Sequence, residues 1–441
     1  IIAEYNPFHN GHLYHINKIK EKYKDHIIVL VMTGNFTERG DVSIIDKWKR
    51  TEIALKAGCD LVIELPFPFA TQSADYFSYG AITLLEKLKV NKIVFGSESD
   101  NIETLNLIAK TQIDNPDFDK LVKIYSKFGE NYPTAISKAI KDLTNESIKT
   151  PNDLLGISYL KTILKNNYNI VPETIKRTNN YHDEDINGTI SAATAIRKAL
   201  KENEDISSQV PKYSIKYLNN LHYIDDYFPY LKYKIITEND LSIYNMVDEG
   251  IDKLLKKNII KATSYDELIN SIKSKRYTYN KLSRMLLHIL CDFTKEKKNQ
   301  FEKISYIRIL GLNKKGSSYL NSINKKIEIM LDKSNTNQGY LCGRLFAVLD
   351  KIQVDANGGS SIRERYMNAA SATPASVFAT ILNLSSHHME KLTNDGKKIF
   401  FEKMKQEIMD KIPATGFPAH LDLQDQGRFF IGYYHQRQDF F

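Results

Sequence analysis

Apolar positions in the first hundred residues follow two rhythms. Ile27 to Met32 is a continuous apolar run, as a strand buried on both faces requires, and it ends in the loop Thr33-Gly34-Asn35-Phe36. Leu61-Val62-Ile63-Glu64-Leu65 also reads as a strand, stopped by Pro66. Lys92-Ile93-Val94-Phe95 is a further strand, ending in Gly96-Ser97-Glu98. Before them, Ile1 to Phe8 is a short apolar stretch ending in a turn dipeptide. Ile1 already reads as mid-strand, so the first strand is expected to begin before it. Leu13 to Ile19, Asp46 to Lys56 and Tyr79 to Leu88 have helical spacing instead. This alternation predicts an α/β fold with a Rossmann-like parallel sheet and helices on both faces. Ligands on such sheets bind outside the carboxyl ends of the strands. The His9-Asn10-Gly11-His12 corner, the Gly34 loop and Gly96 all fall at such ends.

Further along, Pro151-Asn152-Asp153 leads into a helix over Ile157 to Leu164, followed by the strand-like Ile170-Val171-Pro172. Next come Lys176-Arg177-Thr178 and Tyr181-His182-Asp183. Ile190 to Arg197 reads as a helix that Ser191 can cap, with Thr194 and Arg197 on the same face by i,i+3 spacing. Residues 201–333 are rich in Lys, Asn and Tyr and mostly helical in pattern. Tyr277 to Met285 interleaves aromatic with basic residues, a pattern that suits base stacking and equally a solvated helical face. Ile307 to Leu312 with Asn313-Lys314-Lys315-Gly316 reads as a helix end or turn. The polar stretch Lys333 to Gln338 marks a boundary. Beyond it Lys content drops, and 339–441 reads as a small helical bundle. The expected organisation is a nucleotide-binding domain over 1–200, a helical domain over 201–333 and a bundle over 339–441.

Composition narrows the class. The 441 residues, 42% hydrophobic and 26% charged, exceed what one core serves. Three scattered cysteines argue against a disulfide framework or structural zinc and suit a reducing cytoplasm. No apolar stretch is long enough to span a bilayer, so no membrane association is expected. The net charge is +8. Residues 334–441 carry 12 Lys+Arg against 11 Asp+Glu, leaving 49 against 42 in the rest, where RNA contact is expected.

The candidate chemistry lies at His9 and His12. A glycine between two histidines, at a strand-to-helix corner, lets the backbone approach a ligand and offers a helix N-terminus to phosphate. Two imidazoles three residues apart can stabilise charge on a leaving pyrophosphate. Ser191, Thr194 and Arg197 suit a clamp on β- and γ-phosphate oxygens. His387-His388 is not read as a metal pair, because adjacent helical residues point apart. Ile2 and Ala3 suit plain core equally well, and Gly96 a simple turn.

Residues 1 to about 333 resemble the tRNA(Met) cytidine acetate ligase family. The resemblance rests on Glu4 to His12, Gly34 to Gly40, Lys47-Trp48-Lys49-Arg50, Phe95 to Glu98, Ile190 to Arg197 and Arg308 to Leu312. The last of these is similar to the family's later helical part. The resemblance implies a nucleotidyltransferase-like domain that activates acetate with ATP, with Mg²⁺ carried by the phosphates. The acetyl group then passes to N4 of the wobble cytidine, position 34, of elongator tRNA(Met). It implies nucleotide contacts from Ile2, Ala3, Glu4, Asn6, Pro7, His9, Asn10, Gly11, His12, Gly96, Asn152, Arg177, Ser191, Thr194 and Arg197, with His9 and His12 catalytic. The family's own C-terminal segment is expected to be absent beyond roughly Lys333. Residues 339–441 instead resemble the small-subunit-like C-terminal region of the large subunit of the type I-C CRISPR interference complex. Tyr340 to Leu349, Ala372 to Ala375 and Gln426 to Arg437 carry that likeness. It implies a bundle along single-stranded DNA in such a complex. The corner alone leaves open an enzyme adenylylating another small substrate, or a nucleic-acid-binding fusion.

Overall fold

The computed structural model describes residues 1–130, 132–148, 150–177, 191–248, 250–274, 277–324, 337–359, 361–438 and 440. Thr178, the Tyr181-His182-Asp183 loop, Ile190 and the Lys333 to Thr336 part of the polar break lie outside them. The chain divides into two compact units, Ile1–Lys326 and Ile327–Phe441.

In the first unit, β1 (Ile2–Ala3), β2 (Val29–Thr33) and β3 (Leu61–Leu65) run parallel, in spatial order β1-β2-β3. Every residue of β2 and β3 is buried, which is why both read as predominantly apolar, with Thr33 and Glu64 the exceptions. A separate parallel pair joins β4 (Lys92–Ser97) to β5 (Val171–Lys176), from Lys92 opposite Val171 to Ser97 opposite Lys176. Among the described residues the ladder is therefore two sheets, where the pattern predicts one. β6 (Arg308–Leu312) closes the larger sheet, antiparallel to β3, with a register irregularity between Val62 and Ile63. This corrects the reading of 307–312 as a helix end or turn. Only Leu310 of the five is buried, so the apolar signal of this edge strand is weak. Its return to the sheet, with Asn313 bonded to Asp60, places the segment after residue 201 in the same unit as the sheet.

The helices that position the site follow strand ends. α1 (Asn10–Lys22) starts on His9, and α2 (Lys47–Ala57) starts on Asp46, whose carboxylate accepts from the Trp48 and Lys49 N–H groups. α3 (Pro151–Lys165) precedes β5, and α4 (Ala193–Lys201) follows it. Later α5 (Phe228–Thr237), α6 (Ile251–Ile259) and α7 (Tyr279–Leu290) share one core through Leu231, Leu255 and Leu286. α7 docks on the loop after β2. Ser283 Oγ donates to Gly40 O (3.0 Å), and Arg284 Nη1 reaches Glu38 Oε1 (2.7 Å). Gly40 has φ +83°, and a Cβ there would lie 2.3 Å from Arg284 N, so only glycine fits.

The second unit is a helical bundle. Its core residues Leu345, Phe346, Phe378, Ile381 and Phe429 come from helices Gln338–Asn357, Pro374–Lys391 and Leu423–Gln438.

Candidate active site

Tyr5 and Phe8 anchor the loop after β1. Both are buried, with ring centroids 4.7 Å apart, edge to face. They hold His9 at the start of α1. The Gly11 N–H donates to His9 Nδ1 (3.1 Å), and the His9 N–H donates to His12 Nδ1 (3.3 Å), a reciprocal cap built from two histidines. The rings stack with centroids 3.7 Å apart. Because both Nδ1 atoms accept, each neutral ring carries its proton on Nε2. Neither Nε2 has a hydrogen-bond partner among the described residues. Burial lowers the His9 pKa to about 3, with Arg177 and Arg197 acting in the same direction. Burial, then His9 and Arg177, also hold His12 well below its usual value. The corner is thus a pair of neutral N–H donors near two guanidinium groups.

The helix start is not the open anion cradle that its sequence suggests. Asn10 N–H donates to Gln209 O (2.9 Å), Gly11 N–H to His9 Nδ1, and His12 N–H to His9 O (2.9 Å). Asn10 Nδ2 is held by Ser208 O (2.8 Å). The first amides of this helix are therefore already paired. The Gln209 carbonyl takes the Asn10 amide and the His9 imidazole takes the Gly11 amide, and the donors left over are side-chain ones.

Arg177 extends the second sheet, its N–H donating to Ser97 O (2.9 Å). Its side chain crosses Gly96, where a Cβ would stand 3.3 Å from Arg177 Cγ. That contact gives Gly96 a definite purpose beyond a turn. Arg177 Nε is buried without a hydrogen-bond partner, 3.8 Å from Glu98 Oε1. Glu98 also accepts from Asn152 Nδ2 (2.5 Å) and Asp153 N–H (3.2 Å). Asn152 therefore does not cap α3. Thr150 stands at that position, and Asn152 ties the helix start to the strand end.

Arg197 Nη1 donates to Asn6 O (2.7 Å), and its Nη2 to Thr194 Oγ1 (3.3 Å). Asn6 Oδ1 in turn accepts from Ile44 N–H (2.8 Å), and the Asn6–Pro7 bond is cis. The expected Thr194–Arg197 pairing on one face is present, with Thr194 exposed. The expected Ser191 cap is not. Ala192 occupies that position, one residue later than the pattern suggests, and Ser191 Oγ is buried without a partner. Ile2 and Ala3 pair with Val31 and Met32. Glu4 Oε1 accepts from Glu38 N–H (2.7 Å), and burial raises its pKa.

Sequence reasoning missed two residues here. Arg50 is fully buried and donates to Ile45 O (3.0 Å), Glu4 O (2.5 Å) and Gly34 O, tying the ends of β1 and β2 to the entry of α2. Burial lowers its pKa to about 10. No periodicity marks that role. His15 continues the i,i+3 series from His9 and His12. Its Nε2 is buried without a partner, and burial lowers its pKa to about 3. Its spacing was the available signal. Tyr277, by contrast, is buried with its hydroxyl on Asp248 O (2.9 Å) and serves internal packing, while the exposed Tyr279 bonds Asp266 (2.6 Å). In the bundle, His388 bonds Gln353 and Asn357, while His387 is exposed beside Glu390.

The family described as HIGH Nucleotidyl Transferase matches residues 1–351. A Geobacillus sp. (strain WCH70) protein named tRNA(Met) cytidine acetate ligase is 41% identical over 349 residues, covering 75% of this chain and 87% of its own. The chain belongs to the tRNA(Met) cytidine acetate ligase family. A second member, from Caldicellulosiruptor saccharolyticus, is 41% identical over 340 residues, covering 74% of this chain and 85% of its own. Among solved structures of the family, apo Thermotoga maritima TmcAL matches with a TM-score of 0.70 at 33% identity. The match covers 74% of this chain and 83% of that one. The same protein bound with alpha-thio ATP matches with a TM-score of 0.68. No described helix of this chain is long and apolar enough to cross a membrane.

Proposed function

We propose that this chain is an ATP-dependent acetate ligase that acetylates N4 of the wobble cytidine, position 34, of elongator tRNA(Met), in the cytoplasm. Family membership supports the reaction. The observation that carries its chemistry is the pair of neutral imidazoles, each with Nε2–H uncommitted, with Arg177 near both and Arg197 near His9.

In the first step an acetate oxygen attacks the α-phosphorus of ATP, the bond to the β-phosphate oxygen breaks, and pyrophosphate leaves. The negative charge that builds on the leaving group meets the His9 and His12 Nε2–H donors and the two guanidinium groups. Such preorganised donors lower the barrier because they need no reorientation at the moment of reaction. Remaining uncharged, the histidines act by donation and alignment. Ser191, with its unpartnered hydroxyl, and Thr194 complete the phosphate side. Ile2, Ala3, Glu4, Asn6, Pro7 and Gly96 line the strand ends below the nucleotide, and Asn152 braces them through Glu98. Mg²⁺ bound through the phosphates would neutralise part of their charge, and among the described residues no three His, Cys, Asp or Glu side chains converge as a cage for it. In the second step N4 attacks the acetyl carbonyl, the bond to the phosphate oxygen breaks, AMP leaves, and the amine gives up a proton.

ATP–pyrophosphate exchange without tRNA tests the first step. Exchange that requires acetate is expected. Exchange supported equally by other small acids would favour a different adenylylating enzyme. For residues 339–441 we keep a separate proposal, docking along single-stranded DNA in a CRISPR-type complex, resting on sequence likeness alone. A gel shift that is unchanged on removing those residues would overturn it.

A further inference from the structure

We infer that Glu4 is the base that takes the proton from cytidine N4 as the acetyl group is transferred. This rests on the acetate-ligase reading above and assigns a group to its second step. As N4 attacks the carbonyl carbon of acetyl-adenylate, the C–N bond forms, the bond to the phosphate oxygen breaks, and AMP leaves with the electron pair. The nitrogen becomes cationic unless its proton moves to an acceptor in the site. The histidines of the corner do not offer one. Each Nδ1 lone pair is occupied by a backbone amide, and each Nε2 already carries a proton.

Most carboxylates at this edge of the sheets are occupied as well. Both oxygens of Glu64 receive Lys47 Nζ (2.9 and 2.8 Å), and Oε2 also meets Arg308 Nη1 (3.2 Å). Glu98 receives Asn152 Nδ2 on one oxygen and the Asp153 N–H on the other. Asp153 takes Ser97 Oγ, the Ser99 N–H and Thr150 Oγ1. Asp46 caps α2, and Glu38 is paired with Arg284. Glu4 differs. Its Oε1 is fixed by the Glu38 N–H (2.7 Å), and Arg50 holds its backbone carbonyl (2.5 Å). Its Oε2 has no hydrogen-bond partner among the described residues, and the side chain is only half-buried. The carboxylate is therefore aimed and open at once. It follows β1 directly, and Arg197 acts on the charges of both Glu4 and His9 while holding Asn6 O. Burial, then the charges of Glu4 and Glu38, keep the Tyr159 hydroxyl of α3 above its usual value, so the carboxylate lies toward α3. The start of that helix is tied to the end of β4 through Asn152 and Glu98. Glu4 thus borders the crevice where ligands of such sheets sit. Burial raises its pKa against the Glu38 amide, Arg39 and Arg197, which makes it a stronger proton acceptor once ionised. Asp41 also feels Arg197, but it neighbours Asp225 and Asp266, and its Oδ1 takes the Val42 N–H (2.7 Å). It serves as the control.

Single-turnover transfer of labelled acetate to a tRNA(Met) transcript, measured beside ATP–pyrophosphate exchange without tRNA, tests this on the full chain. The two steps separate because acetate attacks as a carboxylate and releases no proton. Glu4→Gln keeps an acceptor for the Glu38 N–H but takes up no proton. Relative to its own exchange rate, its transfer should fall about 10²- to 10⁴-fold, the scale of a lost general base. Glu4→Asp, a base set back by one methylene, should recover about tenfold or more of that loss. Asp41→Asn should keep the parent's ratio of transfer to exchange. An unchanged ratio in Glu4→Gln would overturn the assignment, as would a Glu4→Asp no better than Glu4→Gln, or an equal fall in Asp41→Asn. A parent without acetate-dependent exchange or without transfer would instead refute the ligase reading, and the base with it.

Discussion

The buried histidines of the two units differ in what they have left to donate. In the bundle, His388 meets Gln353 Nε2 at its Nε2 (3.3 Å) and Asn357 Nδ2 at its Nδ1 (3.1 Å). Both ring nitrogens are covered by side-chain amides of the neighbouring helix, and the side chain fastens one helix to the next. In the first unit His9 and His12 accept through Nδ1 alone. Burial lowers the pKa of all three, so depth does not separate a reactive histidine from a structural one. The distinction is an uncommitted donor beside charge. His288 confirms the rule within the first unit. It is buried, bonded to Thr71 through Nε2 and to Asn245 through Nδ1, and removed from the corner's chemistry.

The largest effect should come from His12→Ala. We expect acetate-dependent exchange to fall by about 10²- to 10³-fold, the scale of one lost oxyanion donor, with an unchanged circular dichroism spectrum. His388→Ala should leave exchange untouched and lower stability by about 1–3 kcal/mol in urea unfolding, since Gln353 and Asn357 lose a partner. Equal exchange in His12→Ala and the parent would break the contrast.

Arg50→Met comes next. It strips three carbonyls of their donor in a sealed place, and we expect a loss of about 3 kcal/mol or more by urea titration. A loss under about 1 kcal/mol would mean that the strand ends hold together without it.

Acid should weaken the corner. His9 has a folded pKa of about 3 against 6.5 when unfolded, so the unfolded chain binds the proton first. Its contribution is complete above about pH 6.5 and declines as pH falls toward 3. That amounts to about 2 kcal/mol by pH 5. His9→Asn, which keeps a capping side chain, should remove that part of the pH dependence between about pH 7.5 and 5. An unaltered dependence would refute the neutral assignment.

The smallest effect compares two unpartnered hydroxyls. Ser191→Ala should raise the apparent KM for ATP by about two- to tenfold, the value of one hydrogen bond, if Ser191 Oγ meets a phosphate. Ser385→Ala, in the bundle and equally unpartnered, should change stability by less than about 0.5 kcal/mol. Indistinguishable behaviour would make Ser191 plain core.

Periodicity along the chain determined β2, β3, β4, the helices between them and the placement of the H-x-G-H corner at a strand end. Each of these rests on local burial repeated over several residues, which leaves a pattern in one dimension. The edge strand Arg308–Leu312 escaped that logic, because its register is imposed by β3 and only one of its residues is buried. The start of α4 at Ala193, with Ser191 outside it, was also beyond the pattern, since helix ends leave a weaker trace than helix faces. Tertiary structure alone decided the rest. It set which amides the histidines consume, which nitrogen keeps the proton, that Arg50 gathers three carbonyls from three segments, and that Arg177 lies across Gly96. A hydrogen bond between residues far apart in the chain leaves no period in the sequence, and in this protein such bonds fix the chemistry of the corner.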